Sequence, residues 1–111
     1  MEYRRLGKSG LQVSALSLGS WLTFGKQIGD DVAEKLMIEA YDQGVNFFDN
    51  AEIYARGKSE LVMGKILKKL GWRRSSYVVS SKAFFGDGNN LPNETGLSRK
   101  HLVEACEAAL K

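Results

Sequence analysis

The chain has 111 residues, 43% of them apolar and 26% charged, and a net charge of +3. That length suits one small domain at most, with ~65% of the unfolded surface hidden on folding. Apolar stretches such as Val45–Phe48 stop well short of the ~18 residues a membrane span needs. The opening Met1-Glu2-Tyr3-Arg4-Arg5 has no apolar signal-peptide core, so a cytoplasmic location is expected. The single cysteine, Cys106, excludes a disulfide framework and a thiolate metal site; it reads as a packed core thiol.

In chain order, Tyr3–Leu6 and Leu11–Val13 read as a small hairpin around Lys8-Ser9-Gly10. Three runs rich in β-branched and aromatic residues follow, Val13–Leu18, Val45–Asp49 and Tyr77–Ser81, their starts 32 residues apart each time. A strand, a crossover helix and a return need ~30 residues, so the period predicts βαβ units. In the first gap, Asp31 and Glu34 suggest a capping box. Val32, Ala33, Leu36, Met37, Ala40 and Tyr41 form an apolar face at helical spacing, and Gly44 stops it. In the second gap Ser59 reads as the cap, Val62, Met63, Ile66, Leu67 and Leu70 as the stripe, and Gly71 as the stop. A third helix begins at Ser98 and carries Leu102, Val103, Cys106, Ala109 and Leu110; no stop signal precedes Lys111, an ending expected of a truncated chain. The basic cluster Lys68, Lys69, Arg73 and Arg74 reads as a solvated helix end, because the aromatics and reading helix of a nucleic-acid site are missing. His101 reads as a solvated or capping residue. Between the third strand and third helix, Ala83–Leu97 make a 15-residue loop, a length that usually serves a site or is disordered.

Alternating strands and helices imply an α/β fold with a parallel sheet. A doubly wound nucleotide fold would carry a glycine fingerprint after its first strand. Gly19-Ser20-Trp21-Leu22-Thr23-Phe24-Gly25 is not that fingerprint. The Gly-Lys-Ser triplets at Gly7 and Gly57 would each need a glycine five residues upstream to be phosphate loops, and both positions hold glutamate. The (β/α)8 TIM barrel is the remaining expectation, with a hairpin and three βα units present as the N-terminal part of one domain spanning 1–111.

Active sites of such barrels sit at the C-terminal strand ends. Asp49 ends the second strand, Lys82 follows the third, and Tyr54 lies on the loop leaving the second. Adjacent parallel strands run ~4.8 Å apart, so an Asp–Lys pair can form there. A phenol is a poor acid at neutral pH, and an adjacent ammonium stabilises the phenolate. The trio suits proton donation to a carbonyl oxygen. On spacing alone, a surface ion pair beside a packed aromatic is the commoner arrangement.

The letters themselves say more. Phe48-Asp49-Asn50-Ala51-Glu52-Ile53-Tyr54, then Ser59-Glu60, Gly64 and Ser81-Lys82, resemble the aldo-keto reductase signature. So does the opening Tyr3–Ser14 with Leu18-Gly19-Ser20-Trp21. Thr23-Phe24-Gly25, Lys69–Ser76 and Gly96–His101 are most similar to the voltage-gated potassium channel beta-subunit branch and its bacterial relatives. The resemblance implies NADPH-dependent reduction of aldehydes or ketones, with Tyr54 as proton donor, Lys82 as its partner and Asp49 as the lysine's anchor. It places Ser20, Trp21, Gln27 and Asp49 at the nicotinamide end of NADPH/NADP+, and it implies no metal. Many members carry threonine where this chain has Ser20 and Asn50. The family's fourth catalytic position, usually histidine, falls after Lys111, and His101 does not match it. A carbonyl substrate is the expected partner, with a homo-oligomer or a channel-like protein as further partners. The alternative implied function is a redox-sensing, channel beta-subunit-like interaction protein. The chain by itself is expected to be inactive.

Overall fold

The computed structural model describes residues 1–111. Strands β1 (Tyr3–Arg5) and β2 (Gln12–Ser14) pair antiparallel as the expected hairpin, Tyr3 opposite Ser14 and Arg5 opposite Gln12. Strands β3 (Leu18–Gly19), β4 (Phe47–Asp49) and β5 (Val78–Ser80) form a parallel sheet in that order. Helices α1 (Asp30–Asp42) and α2 (Lys58–Leu70) make its crossovers, and α3 (Arg99–Ala109) follows β5. These are successive βα units of a (β/α)8 barrel, the architecture expected from the strand–helix alternation.

The first barrel strand differs from expectation. Val13 and Ser14 belong to the hairpin, and the parallel sheet starts only at Leu18. Val13–Leu18 therefore splits between two sheets, so the even spacing of strand starts is partly fortuitous. The hairpin is bound at the N-terminal end of the sheet through Asn46, the residue before β4. Its side-chain oxygen accepts from Ser14 N at 2.7 Å, and its amide donates to Gln12 O at 3.1 Å. Tyr3 Oη donates to Gly44 O at 2.8 Å. Gly44 has φ +90 and a Cβ there would lie 2.9 Å from Met1 Cβ, so this close approach requires glycine.

The core lies between the sheet and the first two helices. Phe24, Ala33, Met37, Val45, Phe48, Val62, Met63 and Ile66 form one buried cluster. Phe24 comes from the turn after β3, outside every predicted element, and is 0% exposed. Trp72 stacks on Tyr41 at 3.9 Å between ring centroids and closes the cluster's edge. Of the face predicted for α1, Ala33 and Met37 are buried, whereas Val32 and Leu36 are more than 40% exposed.

The capping expectations fare unevenly. Ser98 caps α3 by accepting from His101 N, as expected. The box from Asp31 and Glu34 does not form: Gly29 is the N-cap, no side chain caps it, and Glu34 instead accepts from Lys69 Nζ at 2.7 Å. Nor is Ser59 a cap. Gly57, with φ +85, occupies that position and Ser59 is buried inside the first turn. Lys68, Lys69, Arg73 and Arg74 are exposed, consistent with a solvated helix end. Cys106 is exposed rather than packed in a core, because it lines an open cleft between α2, β5 and α3. No helix is long and apolar enough to cross a membrane.

Candidate active site

The parallel register decides where the polar residues meet. Gly19 stands opposite Asp49, and Asp49 opposite Ser80, so the three strands end in one row. Ser20–Trp21, Asn50–Tyr54 and Ser81–Lys82 therefore leave the sheet at the same, C-terminal end. The ladder continues into these loops, with Asn50 N donating to Ser80 O at 2.9 Å and Glu52 N to Lys82 O at 3.2 Å.

Lys82 is the centre of the cluster. Its ammonium donates to both Asp49 carboxylate oxygens at 2.9 and 2.8 Å, to Asn50 O at 2.7 Å and to Tyr54 Oη at 3.1 Å. An ammonium has three protons, and three acceptor groups take them all. Partial burial works to lower the Lys82 pKa, but the hydrogen bonds and charges of Asp49 and Tyr54 outweigh it and hold the group above its ordinary 10.5. Asp49 is fixed in turn, since Ser80 Oγ donates to its Oδ1 and Ser20 Oγ to its backbone carbonyl at 2.8 Å. Tyr54 Oη accepts from Lys82, while its own proton has no acceptor in the protein. Immediately after Tyr54 the chain turns sharply: Ala55 and Arg56 adopt φ of 50 and 54, an uncommon pair of left-handed residues.

The structure thus brings together Asp49, Tyr54, Lys82, Ser20 and Trp21. The Trp21 ring is 65% exposed and roughly parallel to that of Tyr54, 6.3 Å away. Ser20 is fully buried and its hydroxyl is spent on Asp49, so it shapes the strand end more than it offers a hydrogen bond. Gln27 is exposed on the turn before α1, and no hydrogen bond joins its side chain to the cluster. Trp21's bare aromatic face and the available phenol proton fit the nicotinamide end of a dinucleotide. They do not fit its phosphates, since the one ammonium at this end of the sheet with its geometry fixed is saturated by Asp49, Asn50 and Tyr54.

Sequence reasoning missed a second polar contact beside the cluster. His101 is buried, not solvated, and its Nε2 lies 2.9 Å from Glu52 Oε1. The missed signal is Glu52's place on the loop between Asp49 and Tyr54. Its partner, His101, is set by where the third helix comes to rest, which no local pattern gives. Ser80 was also missed, although its place opposite Asp49 follows once the register is fixed.

A polar cluster at the C-terminal ends of parallel barrel strands occupies the active-site position of β/α-barrel enzymes. Comparison with known proteins agrees. Residues 15–111 match the model of the aldo/keto reductase family. The fold is similar to the crystal structure of a Pseudomonas aeruginosa protein assigned as an aldo-keto reductase, with 33% identity and a TM-score of 0.77. The alignment covers 97% of this chain and 40% of that one, so the chain spans well under half the length of that relative. The chain belongs to the aldo/keto reductase family.

Proposed function

We propose that these residues supply the proton-transfer site of an NADPH-dependent reductase of aldehydes and ketones, working within a complete barrel. Residues 1–111 are then part of a single barrel domain, inactive by itself. One observation carries the reading: Lys82 is clamped to Asp49 at 2.8 Å while donating to Tyr54 Oη at 3.1 Å. That arrangement leaves the phenol's proton free to meet a carbonyl oxygen.

When bound, NADPH supplies the hydride that reaches the carbonyl carbon. Trp21, Gln27 and Asp49 would hold its nicotinamide end, with Ser20, buried beneath, shaping the strand end they stand on. Tyr54 donates a hydrogen bond to the substrate oxygen and gives up its proton as the alkoxide develops, leaving an alcohol and a phenolate. The Lys82 ammonium stabilises that phenolate by charge and hydrogen bond. Asp49 keeps Lys82 charged and aimed, and Ser80 and Ser20 keep Asp49 in place. Water then returns a proton to Tyr54.

The finer placement, near the potassium channel beta-subunit branch, rests on the letters Thr23-Phe24-Gly25, Lys69–Ser76 and Gly96–His101. In that reading the same site reports the cofactor's redox state to a docked protein, in the cytoplasm.

Tyr54→Phe keeps the ring and removes the proton. In the complete barrel, with NADPH oxidation followed by absorbance on a panel of aldehydes and ketones, turnover should fall ~100- to 10,000-fold while cofactor binding persists. Unchanged turnover in a reaction limited by chemistry would remove Tyr54 as the donor.

A further inference from the structure

Glu52 stands two residues before Tyr54, and its side chain engages a different loop. One oxygen, Oε1, accepts from Phe84 N at 2.7 Å and Gly86 N at 2.8 Å, and faces His101 Nε2 at 2.9 Å. The side chains of Glu52 and His101 are only 12% and 7% exposed. A carboxylate can only accept, so Nε2 is the protonated ring nitrogen. His101 is itself anchored, its backbone N donating to the capping Ser98.

The positions follow from the sheet. Its ladder ends with Glu52 N donating to Lys82 O at 3.2 Å. Beyond that point the Glu52 carboxylate takes over, accepting the amides of Phe84 and Gly86, the next alternate residues after Lys82. On the other side of Tyr54, Arg56 donates to Gly88 O at 3.2 Å. Tyr54 is therefore flanked, two residues before and two after, by side chains bound to the loop that leaves β5.

We propose that Glu52 is a positioning residue for Tyr54: with His101 behind it, its carboxylate locks the Tyr54 loop to the Lys82 loop and so sets the Tyr54–Lys82 contact. Tyr54's role as proton donor is taken from the proposed function; the lock itself does not depend on it. The competing role is simply to anchor the start of α3. Two readouts that involve no turnover separate them. Amide exchange at Phe84 and Gly86 reports the lock, and NMR titration of the Lys82 side chain reports whether Tyr54 is still against it.

In Glu52→Ala, Phe84 and Gly86 should exchange at least about tenfold faster, as expected for losing hydrogen bonds to a buried charge. Lys82 should titrate at lower pH, because the Tyr54 contact that helps hold it up is loosened. In Glu52→Gln the amide oxygen, with two lone pairs, can still accept from the Phe84 and Gly86 amides, so both readouts should stay near those of the parent protein. Faster exchange with an unmoved Lys82 titration in Glu52→Ala would reduce Glu52 to a helix anchor and overturn the proposal. So would a Lys82 shift as large in Glu52→Gln as in Glu52→Ala, since charge alone would then explain it. Should Glu52→Ala not fold, Glu52→Asp is read in its place, since it keeps the charge on a side chain one methylene too short to hold both amides: a downward Lys82 shift supports the lock, and no shift overturns it. Tyr54→Phe retaining full turnover would sink the proton-donor reading without touching either readout.

Discussion

Helices α2 and α3 each carry an apolar stripe, and each follows a strand of the same parallel sheet. In α2 the stripe is used: Val62, Met63 and Ile66 are buried against Phe48 and the α1 face, and Gly71 at φ +61 ends the helix in the left-handed turn its sequence suggests. In α3 only His101 is buried, while Leu102, Val103 and Leu110 are 43%, 40% and 79% exposed. α3 is held by polar ties instead: the Ser98 cap, the His101–Glu52 contact, and Lys68 Nζ donating to Lys111 O at 2.6 Å. An amphipathic pattern specifies a helix; what it packs on depends on the sheet. α2 packs on β4, the one strand of the parallel sheet with neighbours on both sides, whereas β5 has a partner on one side only.

The largest effect should come from the side of the molecule held by packing. Phe48 is 0% exposed and its ring meets Trp72 at 5.8 Å and Tyr77 at 6.5 Å. Phe48→Ala should cost ~3–5 kcal/mol in denaturant unfolding, a loss that reaches α1, α2 and the sheet together. A cost near that of a surface substitution would mean that the buried cluster is not formed in solution.

On the α3 side the corresponding change is a cap. Ser98→Ala leaves His101 N without its acceptor and should cost ~1 kcal/mol. The loss should appear as faster amide exchange within α3 and not within α2. Equal acceleration in both helices would show that they unfold as one unit and would erase the contrast.

The cluster at the mouth joins the two regions, and its pH dependence is a milder probe. Partial burial works to lower the Lys82 pKa, but the hydrogen bonds it donates to Asp49 and Tyr54 hold it above 10.5, so the folded state binds that proton more tightly than the unfolded one. The resulting stability is fully present below pH 10.5 and is lost as pH rises through the higher folded value. Lys82→Met should flatten this alkaline loss. The size should be modest, because the Lys82 side chain is 52% exposed and solvent screens the pair. An alkaline limb identical in Lys82→Met would assign it to other groups.

How much of this was legible in the residues follows the same division. The parallel βα order, the stops at Gly44 and Gly71, and the Asp49–Lys82–Tyr54 grouping depend on local pattern and on which strand ends are adjacent, and they were readable. The caps were less so. Asp31, Glu34 and Ser59 have the right chemistry, but Glu34 is drawn to Lys69 and the glycines 29 and 57 take the capping positions. Val13–Leu18 looked like one strand because β-branched and apolar letters run through it, and only pairing with β1 reveals the break at Ala15–Ser17. Phe24 and the Glu52–His101 contact were illegible for another reason: each depends on where a loop or helix from a distant part of the chain comes to rest.

The smallest effect is the sharpest test of the contrast between the helices. Leu102 lies on the α3 wall of a cleft of ≈ 620 Å³ that opens between α2, β5 and α3. At 43% exposure it has little apolar contact to lose. Alanine is also the better helix former, by a few tenths of a kcal/mol at most. Leu102→Ala should therefore change stability by less than ~0.5 kcal/mol, as a surface substitution does. Ile66, at 4% exposure on the matching stripe of α2, provides the control, and Ile66→Ala should cost ~2–5 kcal/mol. Measured side by side in urea, the pair isolates burial, because both changes remove a branched aliphatic side chain from the interior of a helix. If Leu102→Ala cost as much as Ile66→Ala, the α3 stripe would have to be covered in solution, and the cleft between α2, β5 and α3 would be filled.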